Sequence, residues 1–268
     1  MQTHPESNAP ETQIHPAARH LRRRRRPPLP VLLCFSAALL LVLTGLFLLL
    51  RGSDREAYSE NITLSPDARS EITVTERYAV LNSCYLANQK IRVEGLMLHS
   101  VGTPQPSAEV FAKQFNTFQP NGREVCPHAF LQADGTVYQI LPWNHYGWHA
   151  GGTTNRTHIG IEMCEPDCIV YTGPATFDVL DAPSARAYTE ETYRSAVQLF
   201  AELCLAYDLD PLEEGVIVSH GEAGTQGTAS DHTDPEHLWQ GLDLPYTMDT
   251  FRTDVAEHLD LLQNEEAP

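Results

Sequence analysis

Twenty consecutive residues without a charge, Val31 to Leu50 (VLLCFSAALLLVLTGLFLLL), limit what the first fifth of this 268-residue chain can become. As a helix rising about 1.5 Å per residue they reach about 30 Å, the thickness of a bilayer's hydrocarbon core. A helix of that length inside a globular domain would carry a polar outer stripe, and this run has no such stripe. A cleaved signal peptide would have an apolar stretch of about 7–15 residues ending in a small-x-small site. Here the run is longer and continues into Arg51-Gly52-Ser53-Asp54, which favours an uncleaved anchor. Five arginines, Arg22 to Arg26, precede it, and the positive-inside rule then puts the N-terminus in the cytoplasm. The expected layout is a cytoplasmic Arg-rich tail at 1–30, one transmembrane signal-anchor at 31–50, an extracellular stalk or N-terminal extension at 51–90, and a folded body at 91–263. That body is expected outside the cell, held at the cell membrane.

Charge divides at the same boundary. Residues 1–51 hold seven Arg against two Glu, +5, whereas the other 217 residues hold 11 basic and 33 acidic groups, −22. A body that acidic argues against nucleic acid as a partner, because phosphate backbones are bound by clustered Lys and Arg. Six cysteines follow the same division. Cys34 falls in the apolar run, leaving Cys84, Cys126, Cys164, Cys168 and Cys204 outside, an odd number that cannot all pair. Cys204 lies on an apolar helical stripe and reads as a buried free thiol. The other four allow three pairings, and no second CxxC pair suggests a zinc ribbon.

From Ile91 onward apolar periodicities alternate between those of strands and helices. Arg92 to His99 (RVEGLMLH) reads as a buried strand. Ser107 can cap a helix carrying Val110, Phe111 and Phe115. His128 to Leu141 reads as a hairpin about Ala133-Asp134-Gly135, and Ile159 to Met163 (IGIEM) as a short strand. Thr189 can cap a helix with the stripe Tyr193, Ala196, Val197, Phe200, Leu203, Cys204 and Tyr207. Val216 to Val218 forms a strand running into His220, and Phe251, Val255, Leu259 and Leu262 mark a last helix. The expected fold class is α/β, a central mixed sheet flanked by helices, preceded by the transmembrane helix.

His99 and His220 each end an apolar strand, LMLH and VIVSH, and Asp234 follows in the turn-rich segment SDHTDPEHLW. Two imidazoles and one carboxylate form an ordinary catalytic zinc shell with a fourth position open. Strand-end histidines satisfied by backbone groups are the competing reading, and spacing alone does not separate the two.

Five segments in order, LMLHS, PHAFLQADGTVYQILPWNHYGWHAG, NRTHIGIEM, VIVSHGE and DHTDPEHLW, resemble the type 2 N-acetylmuramoyl-L-alanine amidase family, which shares its fold with peptidoglycan recognition proteins. The resemblance implies that His99, His220 and Asp234 hold one zinc ion and that Glu162 works as general base and acid on the metal-bound water. Glu162 stands opposite the face of Ile159, Ile161 and Met163, which also suits a solvated strand residue. His232 occupies a position where cleaving members usually carry Lys, and is expected to stabilise the tetrahedral oxyanion. Trp143, Asn144 and Trp148 are expected to line the groove, and His128 and His149 to contact substrate or to support the residues that do, with a core role as the competing reading. His145, His158 and His237 carry no specific argument. The implied function is a membrane-anchored zinc amidase acting on peptidoglycan or muropeptides. Its alternative is a receptor that binds peptidoglycan without cutting it, a role in which family members typically lose a zinc ligand.

Overall fold

The computed structural model describes residues 58–118 and 125–264. The Arg-rich tail and the apolar run at 31–50 lie outside the described residues, within which no helix is long and apolar enough to cross a membrane. In chain order the elements are β1 (Thr73–Glu76), α1 (Ser83–Ala87), β2 (Gly95–Ser100), α2 (Ala108–Phe115), β3 (Ala129–Leu131), β4 (Thr136–Gln139) and β5 (His158–Met163). Then come β6 (Ile169–Gly173), β7 (Thr176–Val179), α3 (Ala182–Tyr207), β8 (Ile217–Ser219), α4 (His220–Thr225), α5 (Glu236–Gly241) and α6 (Met248–Asn264).

Six strands form one sheet in the order β1-β4-β3-β5-β2-β8, antiparallel only between β3 and β4. Side chains alternate between the two faces of a strand, so each strand serves two environments. On one face Leu96, Leu98, Ile159, Ile161 and Ile217 join Phe200, Leu203, Phe251 and Val255 of α3 and α6 in the main apolar cluster. Burying each such side chain contributes about 1.5–3 kcal/mol. The alternate residues, Met97 and His99 of β2, Gly160 and Glu162 of β5, and Val218 followed by His220, belong to the opposite face. Register then sets neighbours: Met97 lies beside both Gly160 and Val218, and His99 beside Glu162.

One expectation is narrowed here and another changes. Of the two readings of 51–90, the described part, residues 58–90, is an N-terminal extension of the domain, because β1 pairs with β4 as the edge strand and Ile72 joins the main cluster. The Asp134-Gly135 turn makes room for this: Gly135 has φ +80°, and a Cβ there would sit 2.3 Å from the Glu71 carbonyl oxygen. The helix expected from Thr189 begins seven residues earlier, at Ala182. Asp181 caps it, accepting from the Ser184 N–H at 3.3 Å, and proline sits in its first turn. Aspartate before an N-terminal proline is a stronger start signal than an interior threonine. Cys204 is buried, as its helical stripe suggests, whereas Cys164 and Cys168 are free thiols, which removes every complete pairing of the four candidate cysteines.

Candidate active site

His99 leaves the sheet at the end of β2, and His220 is the first residue of α4. Ser219 caps that helix in a reciprocal capping box with Glu222, which fixes the turn from strand to helix. The loop after α4 returns Asp234 between them. Its Oδ2 lies 3.1 Å from His99 Nδ1 and its Oδ1 3.4 Å from His220 Nδ1. One ligand atom from each of the three buried residues lies within 4.8 Å of the others.

The hydrogen bonds behind these rings decide where their protons sit. His149 Nε2 is 3.1 Å from the His158 carbonyl oxygen, so it carries the proton and donates. Its Nδ1 then accepts from His99 Nε2 at 3.0 Å, leaving a lone pair on His99 Nδ1, the atom facing Asp234. Ser230 Oγ donates to the Ala150 carbonyl at 3.1 Å and accepts from His220 Nε2 at 3.0 Å. His220 Nδ1 is likewise left with its lone pair toward Asp234. Two lone pairs and a carboxylate converge in a buried space, an arrangement that a cation satisfies and that three acceptors alone do not. Burial also pushes the His99 pKa down, against resolving the conflict with a proton. The donor set therefore fits a zinc ion, His₂Asp with room for a further ligand.

Around this cluster opens a cleft of about 700 Å³, whose lining includes Glu162, His149, Trp148 and His232. Among the described residues Glu162 Oε2 has no hydrogen-bond partner. Burial, then the charges of Asp234 and Glu165, push the Glu162 pKa well above the usual carboxylate range. His232 stacks on His220 with ring centres 4.2 Å apart, and its Nδ1 is 3.6 Å from Asp234 Oδ1. Hydrogen bonding to Asp234 raises its pKa. Trp148 is 42% exposed, its indole open to the cleft.

Two of the expected groove residues stand elsewhere, and His128 takes the supporting place rather than a contact. Trp143 is fully buried in the main apolar cluster. Asn144 is buried too, its side-chain amide donating to the Ser59 carbonyl at 2.6 Å and its main-chain carbonyl accepting from the Ile91 N–H, so it ties down the N-terminal segment. His128 lies behind the cleft, donating to the His145 carbonyl at 2.8 Å and accepting from the Gly160 N–H at 3.0 Å, with its ring edge toward His149. Gly160 makes this edge-on packing of histidines possible, since a Cβ there would meet the His149 ring at 2.4 Å.

The cleft has a second buried layer with no local sequence signal. Tyr171 OH donates to Glu165 Oε2 at 2.8 Å and lies 2.7 Å from His237 Nε2, while Glu165 Oε1 accepts from the Gly102 N–H at 2.9 Å. Burial pushes the Glu165 pKa from 4.5 up to about 7. The folded state therefore holds this proton more tightly than the unfolded one, so the contribution to stability is complete below about pH 4.5 and lost as pH rises through about 7. The shift corresponds to about 3 kcal/mol. Thermal melts of the wild type and Glu165→Gln should accordingly diverge between pH 5 and pH 8, the variant losing less stability as pH rises. Parallel curves would show that Glu165 titrates normally.

A family model described as N-acetylmuramoyl-L-alanine amidase matches residues 89–237 of this chain. N-acetylmuramoyl-L-alanine amidase CwlH of Bacillus subtilis is 36% identical over 74 residues, which are 26% of this chain and 29% of that protein. N-acetylmuramoyl-L-alanine amidase XlyA of the same organism is 54% identical over 39 residues, 13% of each chain. The chain thus spans less than a third of the length of these two relatives. Among solved structures, Staphylococcus aureus hydrolase AmiA in complex with its ligand superposes with a TM-score of 0.55 at 16% identity, covering 78% of this chain and 100% of that one. At that identity the likeness is one of fold.

Proposed function

Because the chain belongs to the N-acetylmuramoyl-L-alanine amidase family, we propose that it hydrolyses the amide joining N-acetylmuramic acid to L-alanine in peptidoglycan or its fragments. The observation that carries this reading is the convergence of two imidazole lone pairs and a carboxylate beside an unpartnered glutamate on one cleft wall. A receptor that only binds has no use for that glutamate.

His99, His220 and Asp234 would hold a zinc ion. When bound, zinc supplies Lewis acidity, acidifying water and polarising the scissile carbonyl. His149 and Ser230 fix the two ligand rings in the tautomer that leaves Nδ1 free. Glu162, its pKa raised by burial, takes a proton from the attacking water and gives it to the departing L-alanine nitrogen as the C–N bond breaks. His232 donates an N–H to the oxyanion that forms on the carbonyl, a part that histidine plays in either charge state. Trp148 offers an exposed aromatic face against which a sugar ring or stem peptide packs.

We also place the protein at the cell membrane, single-pass, with residues 31–50 as the span, residues 1–30 in the cytoplasm and the catalytic body outside. The uncharged twenty-residue run and the arginines before it support this.

Digestion of defined muropeptides by the full chain tests the activity. New L-alanine N-termini should appear together with intact muramyl sugars, and should vanish on treatment with a chelator and return with zinc. Saturable muropeptide binding without any new amine would leave the receptor reading in its place.

A further inference from the structure

Nine Lys and Arg residues fall within the described part of this acidic body. Six are held by carboxylates at hydrogen-bond distance. Arg69 pairs with Asp67 at 2.6 Å, Arg77 and Lys113 with Glu109 at 2.9 and 3.1 Å, and Arg186 with Asp243 at 3.0 Å. Arg252 pairs with Glu222 at 2.7 Å, and Arg194 with Glu191. The other three are Lys90, Arg92 and Arg156, and all three line a single cavity of about 460 Å³.

None of the three has a carboxylate at hydrogen-bond distance among the described residues. Lys90 Nζ contacts the His145 ring, 2.9 Å from Nε2 and 3.2 Å from Nδ1, and burial and the Lys90 charge hold that imidazole's pKa near 4, so it remains neutral at physiological pH. Arg156 lies over the Tyr146 ring, 5.6 Å from its centre, and has no carboxylate partner among the described residues. Arg92 is 3.8 Å from Glu94, the one acidic residue in the lining, and both are solvent-exposed, where such a pair contributes little. Thr153, Thr157 and Gln89 add neutral hydrogen-bonding groups to the wall. Two guanidinium forks and hydroxyls lining one space, with an ammonium beside it, make a receptor for phosphate oxygens.

We propose that this cavity binds the phosphate of an anionic phospholipid headgroup. Chain reach points to a lipid as the source of the phosphate. Tyr58 on the cavity wall is eight residues beyond Leu50, and that length of extended chain spans at most about 29 Å. The lipid assignment therefore rests on the reading of residues 31–50 as a membrane span, whereas the phosphate chemistry does not. An anionic leaflet would repel a body that is otherwise strongly negative, and one unneutralised basic cavity gives it a fixed point of contact.

The test uses the full chain in non-ionic detergent, titrated calorimetrically with dihexanoyl phosphatidylglycerol, dihexanoyl phosphatidylcholine and inorganic phosphate. Phosphatidylglycerol should bind saturably, at least ten-fold more tightly than the zwitterionic lipid of equal chain length. Arg92→Gln/Arg156→Gln, which alters two exposed side chains, should weaken that binding at least ten-fold with an unchanged melting temperature. Lys90→Gln should weaken it as well. Inorganic phosphate binding as tightly as the lipid would overturn the headgroup assignment in favour of free phosphate. Equal binding by wild type and double variant, or none by either, would overturn the site. Muropeptide cleavage should be unaffected in the double variant, which separates failure of this proposal from failure of the amidase reading.

Discussion

Glu162→Gln should lower the rate of muropeptide cleavage by about 10²–10⁴-fold, the range that general acid–base groups contribute. Glutamine keeps the shape of the side chain and removes its ability to take a proton. The variant should therefore melt no lower than the wild type, and its stability should improve above neutral pH, because the buried charge disfavoured at this position is gone. Zinc content and muropeptide affinity should stay at wild-type levels. The informative comparison is the joint one. A fall in rate with metal and substrate still bound assigns proton transfer to Glu162, whereas a fall accompanied by loss of zinc would make it part of the metal's support. Unchanged turnover would remove it from the mechanism.

His99→Ala and His220→Ala should each reduce zinc from one equivalent to well below one, and activity should fall with it. The reason lies in the tautomers. Each imidazole presents Nδ1 to the centre only because its Nε2 proton is engaged, His99 by His149 and His220 by Ser230. Losing either ring leaves two donors, too few for a structural or catalytic zinc shell. Metal analysis after dialysis against a weak chelator reads this directly. Retention of a full equivalent in both variants would mean that the ion is held elsewhere.

Much of this site can be read from the sequence because strand periodicity carries it. LMLHS and HIGIEM alternate strictly enough that the partition of Leu96, Leu98, Ile159 and Ile161 from His99 and Glu162 follows from a period of two. The hairpin about Asp134-Gly135 is legible for a similar local reason, the need for positive φ at Gly135. What sequence misses is set by distant contacts. Trp143 and Trp148 lie five residues apart in one aromatic-rich segment, and nothing local says that the first is core and the second open to the cleft. The pair β6 and β7, a separate two-stranded sheet, has weak apolar patterning because only alternate positions reach the small cluster around Leu238. The Glu165–Tyr171–His237 layer joins residues up to 72 apart along the chain through hydrogen bonds that no spacing rule encodes. The helix start at Ala182 is a different kind of miss. Its Asp-Ala-Pro signal stands in the sequence, but Thr189 with its two following glutamates carries an equally regular capping pattern inside the same helix.

The two-faced strands β2 and β5 have a practical consequence for anyone handling the protein. If either strand paired one residue out of step, leucine and isoleucine would enter the cleft while the imidazole and carboxylate would be driven among the aromatic rings of α3 and α6. Such a molecule would have neither a working centre nor a tolerable interior. Specific activity in a refolded preparation therefore counts the fraction of chains whose sheet has assembled in step, and an enzyme assay becomes a measure of folding fidelity that spectroscopy of secondary structure cannot supply.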